Sequence, residues 1–313
     1  MSLITTQAAA ETSTSLFKQL MLGNIVPDKL WLCRRFRAKF LLRSLVFPVT
    51  TVKYMRQFSA LPDMAQALSI QGLLPAKPHR PYLYAGLSVA GRAAAITDHY
   101  RFLSQMKDGL LQQQLQSATA TVMAQLLGRQ EESITLQCAP GRFDREGEVT
   151  LELLFNQAVI ASLSFSLINK SGVKTLLIGG LQGPRKHISS EVIKEATKAC
   201  HGLFPKRVLT EALFIISERC GMAQIMAVSE ETHVFRSLRY RHSKSDYFHA
   251  SYSEFWLSIG GERQADGLYR LPARLERKTL DAIASKKRAE YRRRYQLLDE
   301  LQQQVRAGRQ HLL

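Results

Sequence analysis

Residues 149–180 read VTLELLFNQAVIASLSFSLINKSGVKTLLIGG, and they contain three apolar, β-prone runs separated by Asn156-Gln157 and by Lys170-Ser171-Gly172. Such short connections join antiparallel neighbours, because a parallel pair of strands needs a crossover of a dozen or more residues. A further run with alternating polarity lies at residues 133–138. We therefore predict an antiparallel meander of four strands, at residues 133–138, 149–155, 158–168 and 173–180.

The chain on the C-terminal side of this meander changes to helical periodicity. Residues 188–201 and 205–220 are each followed by a glycine, a residue that commonly ends a helix. A short buried strand is predicted at residues 222–228, and Ser229 is placed to cap a short helix through residue 238. Residues 280–305 predict one long helix, with its apolar residues on one face and much of its positive charge off that face.

Composition divides the chain into a tail, a basic region and a main domain. Residues 1–15 are small and polar and predict a disordered tail. Residues 16–80 form a basic helical region that ends in a proline-rich connection, and the main domain occupies residues 81–313. Within the main domain, residues 95–128 predict a helix with a glutamine-rich exposed face.

The net charge of the chain is +17, from 43 basic and 26 acidic residues. A surplus of this size favours an anionic partner, such as nucleic acid, a phospholipid leaflet or a phosphorylated ligand, without selecting among them. The basic residues concentrate at residues 29–56 and in the segment SKKRAEYRRRY at residues 285–295. Each segment is interpreted as a solvated helix or as an anchor for anionic lipid, and the second also as a nucleic-acid contact.

Cysteine spacing and the N-terminal sequence argue against several classes of protein. The four cysteines, Cys33, Cys138, Cys200 and Cys220, lie far apart, which argues against a zinc site and a dense disulfide framework, and no metal site is predicted. No basic residue precedes Lys18, no apolar stretch there has the length of a signal peptide, and no uncharged run is apolar enough to span a bilayer. We expect a cytoplasmic protein whose contact with the inner membrane would be peripheral.

Two motifs give the sequence a family resemblance. The aromatic segment DYFHASYSEFWLSIGG occupies residues 246–261, and IGGLQGPRK occupies residues 178–186. Together they resemble the bacterial VirK/YbjX family, and the resemblance extends over most of the chain from residue 61 onward. It implies a role in remodelling of the enterobacterial envelope, in virulence and in tolerance of cationic antimicrobial peptides.

The predicted order of elements is similar to that of the Gcn5-related acyltransferase fold. This resemblance implies an α+β domain whose mixed sheet contains the antiparallel meander. N-terminal helices and a long C-terminal helix would flank the sheet, and the aromatic segment would supply a last pair of strands.

The turn at residues 179–187 joins a predicted strand to a predicted helix and combines glycines with cations. Glycines let backbone amides approach a phosphate, the helix end presents unpaired N–H groups, and an arginine can donate two parallel hydrogen bonds. The fold resemblance implies that this location holds the pyrophosphate of coenzyme A, so acyl-CoA is the candidate cofactor. The predicted binding residues are Gly180, Gln182, Gly183, Arg185 and Lys186. The turn departs from the acyltransferase pattern at Arg185 and His187, where glycine or alanine is usual, and the alternative is a tight turn with solvated cations.

The predicted catalytic residues are His249, Tyr252 and Glu230. Histidine transfers protons near neutral pH, a tyrosine hydroxyl can protonate a leaving group, and a glutamate after a buried strand can act as a general base. The aromatic segment could line a pocket for an acyl chain or a sugar. The alternatives are that the aromatic residues are core and that Glu230 and Glu231 belong to a helix start, where acidic residues are favoured.

These observations predict an acyltransferase-like protein that acts on an envelope precursor at the inner leaflet. Two alternatives stay open: a non-catalytic module that binds RNA, lipid or a partner protein through the same charge, and a DNA-damage or stress-associated protein suggested by charge alone. The sequence leaves the substrate and the oligomeric state open. The enzymatic interpretation requires that the turn near Gly183 and the aromatic residues near Tyr252 face one cleft.

Overall fold

A computed structural model of the chain describes residues 13–185, 188–237 and 252–308. The strands are β1 (Thr121–Leu127), β2 (Ser133–Pro140), β3 (Val149–Phe155), β4 (Ala158–Lys170), β5 (Val173–Gln182), β6 (Gln224–Ala227), β7 (Glu262–Arg263) and β8 (Tyr269–Leu271). The α-helices are α1 (Ser13–Leu22), α2 (Arg34–Val46), α3 (Pro48–Ser59), α4 (Met64–Ile70), α5 (Val89–Ser104), α6 (Gly109–Leu115), α7 (Ser190–Ala199), α8 (Pro205–Arg219), α9 (Tyr252–Ser258) and α10 (Ser285–Ala307). The described strands form one sheet in the order β1-β2-β3-β4-β5-β6-β8-β7, in which β5 and β6 are parallel and the other pairs are antiparallel. The predicted α+β architecture with a mixed sheet and a C-terminal helix is confirmed.

The predicted meander is present as β2, β3, β4 and β5. Two-residue turns connect β3 to β4 and β4 to β5, and in the first turn Asn156 and Gln157 have positive φ, at 46° and 68°. Positive φ at both turn positions matches the twist of the flanking strands, and Asn is one of the residues that tolerate it. All seven residues of β3 are buried, so the middle of the sheet is covered on both faces.

Strand β5 loses its parallel partner part-way along its length. It pairs with β6 up to Ile178, whose carbonyl also accepts the Val228 N–H, although β5 continues to Gln182. At the same point Gly179 is an extra residue against β4, because Ile178 and Gly180 pair with consecutive residues of that strand. Beyond this bulge, the ends of β5 and β6 are no longer joined by strand pairing.

The helix predicted at residues 95–128 is wrong in its second half. Helix α5 ends at Ser104 and α6 ends at Leu115, and the chain then enters β1 at the edge of the sheet. Exposed and buried side chains alternate at the end of β1, which is the period of two expected of a strand. The glutamine-rich run before β1 obscures this period in the sequence. The amide of Gln304 in α10 bonds both the N–H and the carbonyl of Gln125, at 2.8 Å each, so a side chain covers part of this edge.

The strand pair predicted in the aromatic segment is also wrong. Residues from Tyr252 to Ser258 form α9, in which Tyr252 and Trp256 are buried. Aromatic residues favour strands by propensity, but a spacing of four places these two rings on one helical face. The last strand pair lies further along the chain, as β7 and β8. Residues 238–251, which include the predicted catalytic residue His249, lie outside the described residues.

The other predicted elements agree with the structure after small shifts. Helices α7 and α8 and strand β6 lie within the predicted segments. The helix expected after Ser229 is a single 3-10 turn at Val234–Arg236. The long C-terminal helix begins at Ser285, because the extended residue Ile283 separates it from a 3-10 turn at Leu280–Ala282.

The N-terminal helices share the core of the sheet domain. Helix α1 already covers residues 13–15 of the predicted tail, and its Leu16 and Leu20 are buried. Trp31 is fully buried, and its indole N–H donates to the Gly72 carbonyl at 2.7 Å. Nearly all of the buried apolar side chains form one cluster that extends from α1 to α10.

The four cysteines carry free thiols. Among the residues described, no helix combines the length and the apolarity that a bilayer crossing requires.

Candidate active site at the ends of strands β5 and β6

Two aromatic side chains of α9 bridge the ends of β5 and β6. The Tyr252 hydroxyl accepts a hydrogen bond from the Leu181 N–H of β5 at 3.2 Å, and the Trp256 indole N–H donates to the Val228 carbonyl after β6 at 2.8 Å. The two rings are stacked, with centroids 6.3 Å apart. These bonds satisfy backbone groups near the point where the parallel pairing ends. The predicted glycine turn and the described part of the aromatic segment are therefore adjacent.

A buried carboxylate lies beside these rings. Glu146, in the loop before β3, is 1% exposed. Its two oxygens accept hydrogen bonds from Gln182 Nε2 at 3.1 and 3.3 Å, and Oε1 lies 3.2 Å from His233 Nε2. Gln182 Nε2 also lies 3.4 Å from the Tyr252 hydroxyl oxygen. Side chains from four separate segments thus form one group, the Glu146 cluster, which consists of Glu146, Gln182, His233 and Tyr252. Gln182 is half-buried, and the other three are buried.

The contacts of His233 indicate which ring nitrogen carries the proton in the neutral imidazole. The Phe235 N–H donates to Nδ1 at 3.3 Å, so Nδ1 carries the lone pair. The proton of the neutral ring is then on Nε2, which faces Glu146. The imidazole is fully buried, and its centroid lies 5.6 Å from that of Tyr252. His233 Nε2 therefore lies beside the carboxylate that Gln182 holds by hydrogen bonds.

Tyr252 is held in its protonated form. Burial raises the pKa of Tyr252 well above its ordinary value, and the neighbouring Glu146 carboxylate raises it further. A phenol in this state does not ionise at neutral pH and acts through hydrogen bonds.

The predicted base Glu230 caps the start of α9. Its Oε1 accepts the Ser253 N–H at 2.8 Å, and its Oε2 accepts the Ser253 hydroxyl. Burial opposes the ionisation of Glu230, but the hydrogen bonds from Ser253 outweigh it and hold its pKa below the usual value. These contacts are those of a helix cap, and a catalytic role for Glu230 stays a prediction.

The glycines of the predicted phosphate turn have different surroundings. A Cβ at Gly180 would lie 2.0 Å from Glu146 Oε2, so this glycine makes room for the carboxylate. A Cβ at Gly183 would meet nothing within 4 Å, and Arg185 is exposed. Gly183 and Arg185 are therefore the described residues of the turn that are open to a ligand.

The helix that follows this turn already carries a carboxylate at its start. Glu191 lies in the first turn of α7, where hydrogen bonds from its own backbone N–H and from Ser190 lower its pKa. A negative side chain in this position stabilises a helix in the way a bound phosphate does, so a phosphate would share the helix end with Glu191. Lys186 lies outside the described residues. Among the residues that are described, no three histidine, cysteine or carboxylate side chains are grouped to hold a metal ion.

Sequence reasoning identified Gln182 and Tyr252 but missed Glu146. A signal was available, because Glu146-Gly147-Glu148 stands directly before a strand rich in apolar residues. Carboxylates next to a buried strand conflict with the core pattern, and such local conflicts concentrate at functional or strained sites.

Comparison with known proteins places the chain in a family. It matches the family described as "Protein of unknown function (DUF535)" over residues 29–307. The chain belongs to the DUF535 family. The uncharacterized protein YbjX of Escherichia coli (strain K12) is 42% identical over 302 residues, which cover 96% of this chain and 91% of that protein. The resemblance to the VirK/YbjX family is thereby confirmed.

A more distant relative occurs in another bacterium. An uncharacterized protein of Haemophilus influenzae (strain ATCC 51907 / DSM 11121 / KW20 / Rd) is 30% identical over 216 residues, which cover 68% of this chain and 70% of that protein. No solved structure matches the chain.

This DUF535 chain contains a second buried polar group, which sequence analysis did not predict. Lys77 Nζ lies 2.6 Å from Glu148 Oε1, and the two side chains are 3% and 1% exposed. Nζ also donates to Gln71 Oε1 at 2.8 Å, and the Tyr100 hydroxyl donates to Glu148 Oε2 at 3.0 Å. Gln71, Tyr100 and Glu148 line a cavity of about 30 Å³, which has room for about two water molecules. This ion pair joins the proline-rich connection to the start of β3.

The basic residues of α10 divide into packed and solvated side chains. Arg294 donates from Nε to the His201 carbonyl at 2.9 Å, and its guanidinium lies 4.1 Å from the centroid of the Tyr291 ring. The exposed members are Lys286, Lys287, Arg292 and Arg293. Part of the positive segment predicted to contact an anionic partner therefore serves packing within the chain.

Proposed function

We propose that this chain is an acyltransferase-like protein that uses acyl-CoA to modify a precursor of the bacterial envelope, with the Glu146 cluster as its active site. The observation that carries the proposal is the loss of pairing between β5 and β6 at a bulge where a buried carboxylate, an imidazole and a phenol are gathered. Ligands of open sheets bind outside the carboxyl ends of parallel strands, where neighbouring strands diverge. The link to virulence and to tolerance of antimicrobial peptides comes from the VirK/YbjX resemblance.

The order of the strands supports the acyltransferase interpretation. The meander ends in β5, α7 and α8 connect β5 to its parallel partner β6, and β8 lies between β6 and β7. This is the mixed arrangement that the resemblance to the Gcn5-related fold leads us to expect. Since one topology hosts many functions, the chemistry is argued from the side chains.

In the proposed reaction, a hydroxyl or amine of the acceptor attacks the thioester carbonyl of acyl-CoA. A C–O or C–N bond forms, the C–S bond breaks, and coenzyme A leaves as a thiol with the proton that the acceptor loses. Glu146, held by Gln182 with His233 beside it, would take this proton from the acceptor and then release it to the departing thiolate. Tyr252 would donate a hydrogen bond to the departing sulfur, and Arg185 would contact the pyrophosphate.

Binding of acyl-CoA is the first test. We expect isothermal titration of the full chain to show binding of acetyl-CoA or myristoyl-CoA, and Arg185→Ala to weaken it about tenfold, because a charge-assisted contact to phosphate is lost. Arg129→Ala is the matched control, since Arg129 is also exposed and its N–H donates to the Ala199 carbonyl at the other end of α7. Absence of binding by both acyl-CoA species would remove acyl transfer from consideration.

Glu146→Gln separates catalysis from binding. Glutamine keeps the shape of the side chain but cannot accept a proton, so transfer of labelled myristate from myristoyl-CoA to a bacterial membrane-lipid extract should fall by about 10² or more. The Kd for myristoyl-CoA should stay within about twofold of the wild-type value, because Glu146 acts on the acceptor and not on the donor. Glu131→Gln, at an exposed turn, is the control. Unchanged transfer by Glu146→Gln would contradict the assignment of the base.

A second candidate function, a non-catalytic binding module, is favoured by the burial of the aromatic rings. Tyr252 and Trp256 are 1% and 0% exposed, and their hydrogen bonds already satisfy the strand ends. In this alternative the Glu146 cluster is part of the core, and the positive surface holds RNA, lipid or a partner protein. RNA binding that falls steeply with added salt, together with no change in Tm in the presence of acyl-CoA, would favour the module.

A further inference from the structure

The corner between α2 and α3 exposes large apolar side chains in a dense group. Residues 41–52 contribute seven of them, and their exposed fractions lie between 38% and 80%. They are Leu41, Leu42, Leu45, Val46, Phe47, Val49 and Val52. We name this group the apolar corner. A contiguous apolar surface bordered by polar residues is typical of an interaction site, whereas single exposed leucines are not.

The opposite side of these two helices is already packed against the protein. Phe40 of α2 is buried, and its ring centroid lies 5.2 Å from that of Trp31 and 5.3 Å from that of Phe17. Tyr54 of α3 is buried, and its hydroxyl donates to the Leu74 carbonyl at 2.9 Å. The apolar corner therefore cannot turn inward unless this packing is lost, since side chains on opposite faces of a helix do not exchange places.

The charge around the apolar corner has a single sign. Residues 29–62 include eight lysines and arginines and neither aspartate nor glutamate. The exposed cations beside the corner are Arg34, Arg35, Lys39, Lys53 and Arg56. A second copy of the chain docked symmetrically would place these cations against each other, which is unfavourable. The occupant of this surface is therefore expected to be anionic.

We propose that the apolar corner is a docking surface for an anionic lipid bilayer, with the apolar side chains at the acyl-chain boundary and the flanking cations among the headgroups. An amphipathic surface of this kind binds through buried apolar area and through attraction to anionic lipid. The composition favours a bilayer over a protein partner, because six of the seven side chains are leucine or valine and only Phe47 is aromatic, whereas protein interfaces are enriched in aromatic residues and methionine. Helices α2 and α3 contribute no residue to the Glu146 cluster, so the inference does not rest on the proposed chemistry.

Vesicle binding by the full chain tests the apolar part of this surface. Vesicles of phosphatidylcholine with about one third phosphatidylglycerol should bind at least about tenfold more strongly than phosphatidylcholine alone. Leu42→Ser/Leu45→Ser should lower the partition coefficient by about tenfold or more, because two leucines no longer enter the acyl-chain region. The matched control is Leu127→Ser/Phe204→Ser, since these side chains are as exposed, at 66% and 65%, and lie outside α2 and α3. Wild-type binding by the Leu42/Leu45 variant would overturn the proposal.

A charge-reversal pair tests the cations. Arg34→Glu/Arg35→Glu should weaken binding to the anionic vesicles by about tenfold or more and leave Tm unchanged, because both side chains are exposed. Lys286→Glu/Lys287→Glu in α10 makes the same change in net charge and should bind nearly as the wild type does. Equal losses of vesicle binding in the two charge-reversal variants would overturn the assignment. A dimer that depends on Leu42 and Leu45, with no vesicle binding, would overturn it as well. Titration of the Leu42→Ser/Leu45→Ser variant with acyl-CoA measures whether this variant still binds the proposed cofactor. Failure of vesicle binding can therefore be distinguished from failure of the proposed function.

Discussion

Lys77→Met is expected to lower the free energy of unfolding by about 3 to 5 kcal/mol at pH 7. The substitution keeps an unbranched side chain but leaves Glu148 as a buried carboxylate without its cation. The cost is large because the remaining charge stays removed from water and no longer has a compensating partner. Urea unfolding followed by tryptophan fluorescence measures the change, since Trp31 and Trp256 are both buried in the folded chain.

A double variant and a surface pair are the controls for this prediction. Lys77→Met/Glu148→Gln should recover most of the lost stability, because no unpaired charge remains. Lys170 and Asp266 also lie 2.6 Å apart, but their side chains are 23% and 41% exposed, so Lys170→Met should cost less than about 1 kcal/mol. Losses of similar size at Lys77 and Lys170 would show that burial of the ion pair is not the cause.

The same ion pair gives a pH dependence of definite sign. Burial alone would raise the pKa of Glu148, but the charge of Lys77, with His99 and hydrogen bonds, holds it below the ordinary value of 4.5. A carboxyl group with a lowered folded pKa stabilises the protein above its ordinary pKa, and this contribution is lost as the pH falls through the folded value. In the Lys77→Met variant no lysine offsets the burial, so the folded pKa of Glu148 should rise above its ordinary value. The variant should then gain stability as the pH falls. The stability gap between wild type and variant should therefore narrow between pH 7 and pH 4, and a constant gap would contradict this account.

The meander was predictable because its signals are local. Two-residue connections dictate antiparallel neighbours whatever surrounds them, and turn residues separate the apolar runs. The helix caps after the meander are equally local, as the glycines after α7 and α8 illustrate.

Local signals also explain the two errors in the fold. The run before β1 is rich in glutamine, which suits an exposed helix, and the rings of α9 suit a strand by propensity.

The candidate site was predictable in part for the same reason. Gln182 and Tyr252 stand in conspicuous local motifs, a glycine turn and an aromatic segment. Glu146 has no such motif, and its contact with Gln182 spans 36 residues of sequence. The ion pair between Lys77 and Glu148 spans 71 residues. Pairings at this distance depend on how the N-terminal region and the β2–β3 loop pack on the sheet, which a single sequence does not encode in a readable pattern.

Gly179→Ala is expected to lower the free energy of unfolding by about 3 kcal/mol. A Cβ at this bulge would lie 1.9 Å from the Glu146 carbonyl oxygen and 3.0 Å from the Leu83 carbonyl oxygen. Both are backbone atoms, and the Leu83 N–H is itself bonded to the Arg145 carbonyl at 2.7 Å, so neither can rotate away as a side chain would. The loop that carries Glu146 would have to separate from β5. Urea unfolding measures the loss, and Gly183→Ala, with nothing within 4 Å of its Cβ, should change stability by less than about 0.5 kcal/mol.

A double-mutant cycle with Glu146→Ala distinguishes the two neighbouring glycines. The Cβ of Gly180→Ala would meet Glu146 Oε2, a side-chain atom that Glu146→Ala removes, so these two substitutions should couple by about 1 to 3 kcal/mol. The conflict at Gly179 is with the backbone of residue 146, which Glu146→Ala leaves in place, so the coupling there should be close to zero. Equal coupling at both glycines would mean that the loop adjusts as a unit. A selective rescue at Gly180 would mean that the backbone contact at Gly179 positions the loop, and that Gly180 only leaves space for the carboxylate beside the separated ends of β5 and β6.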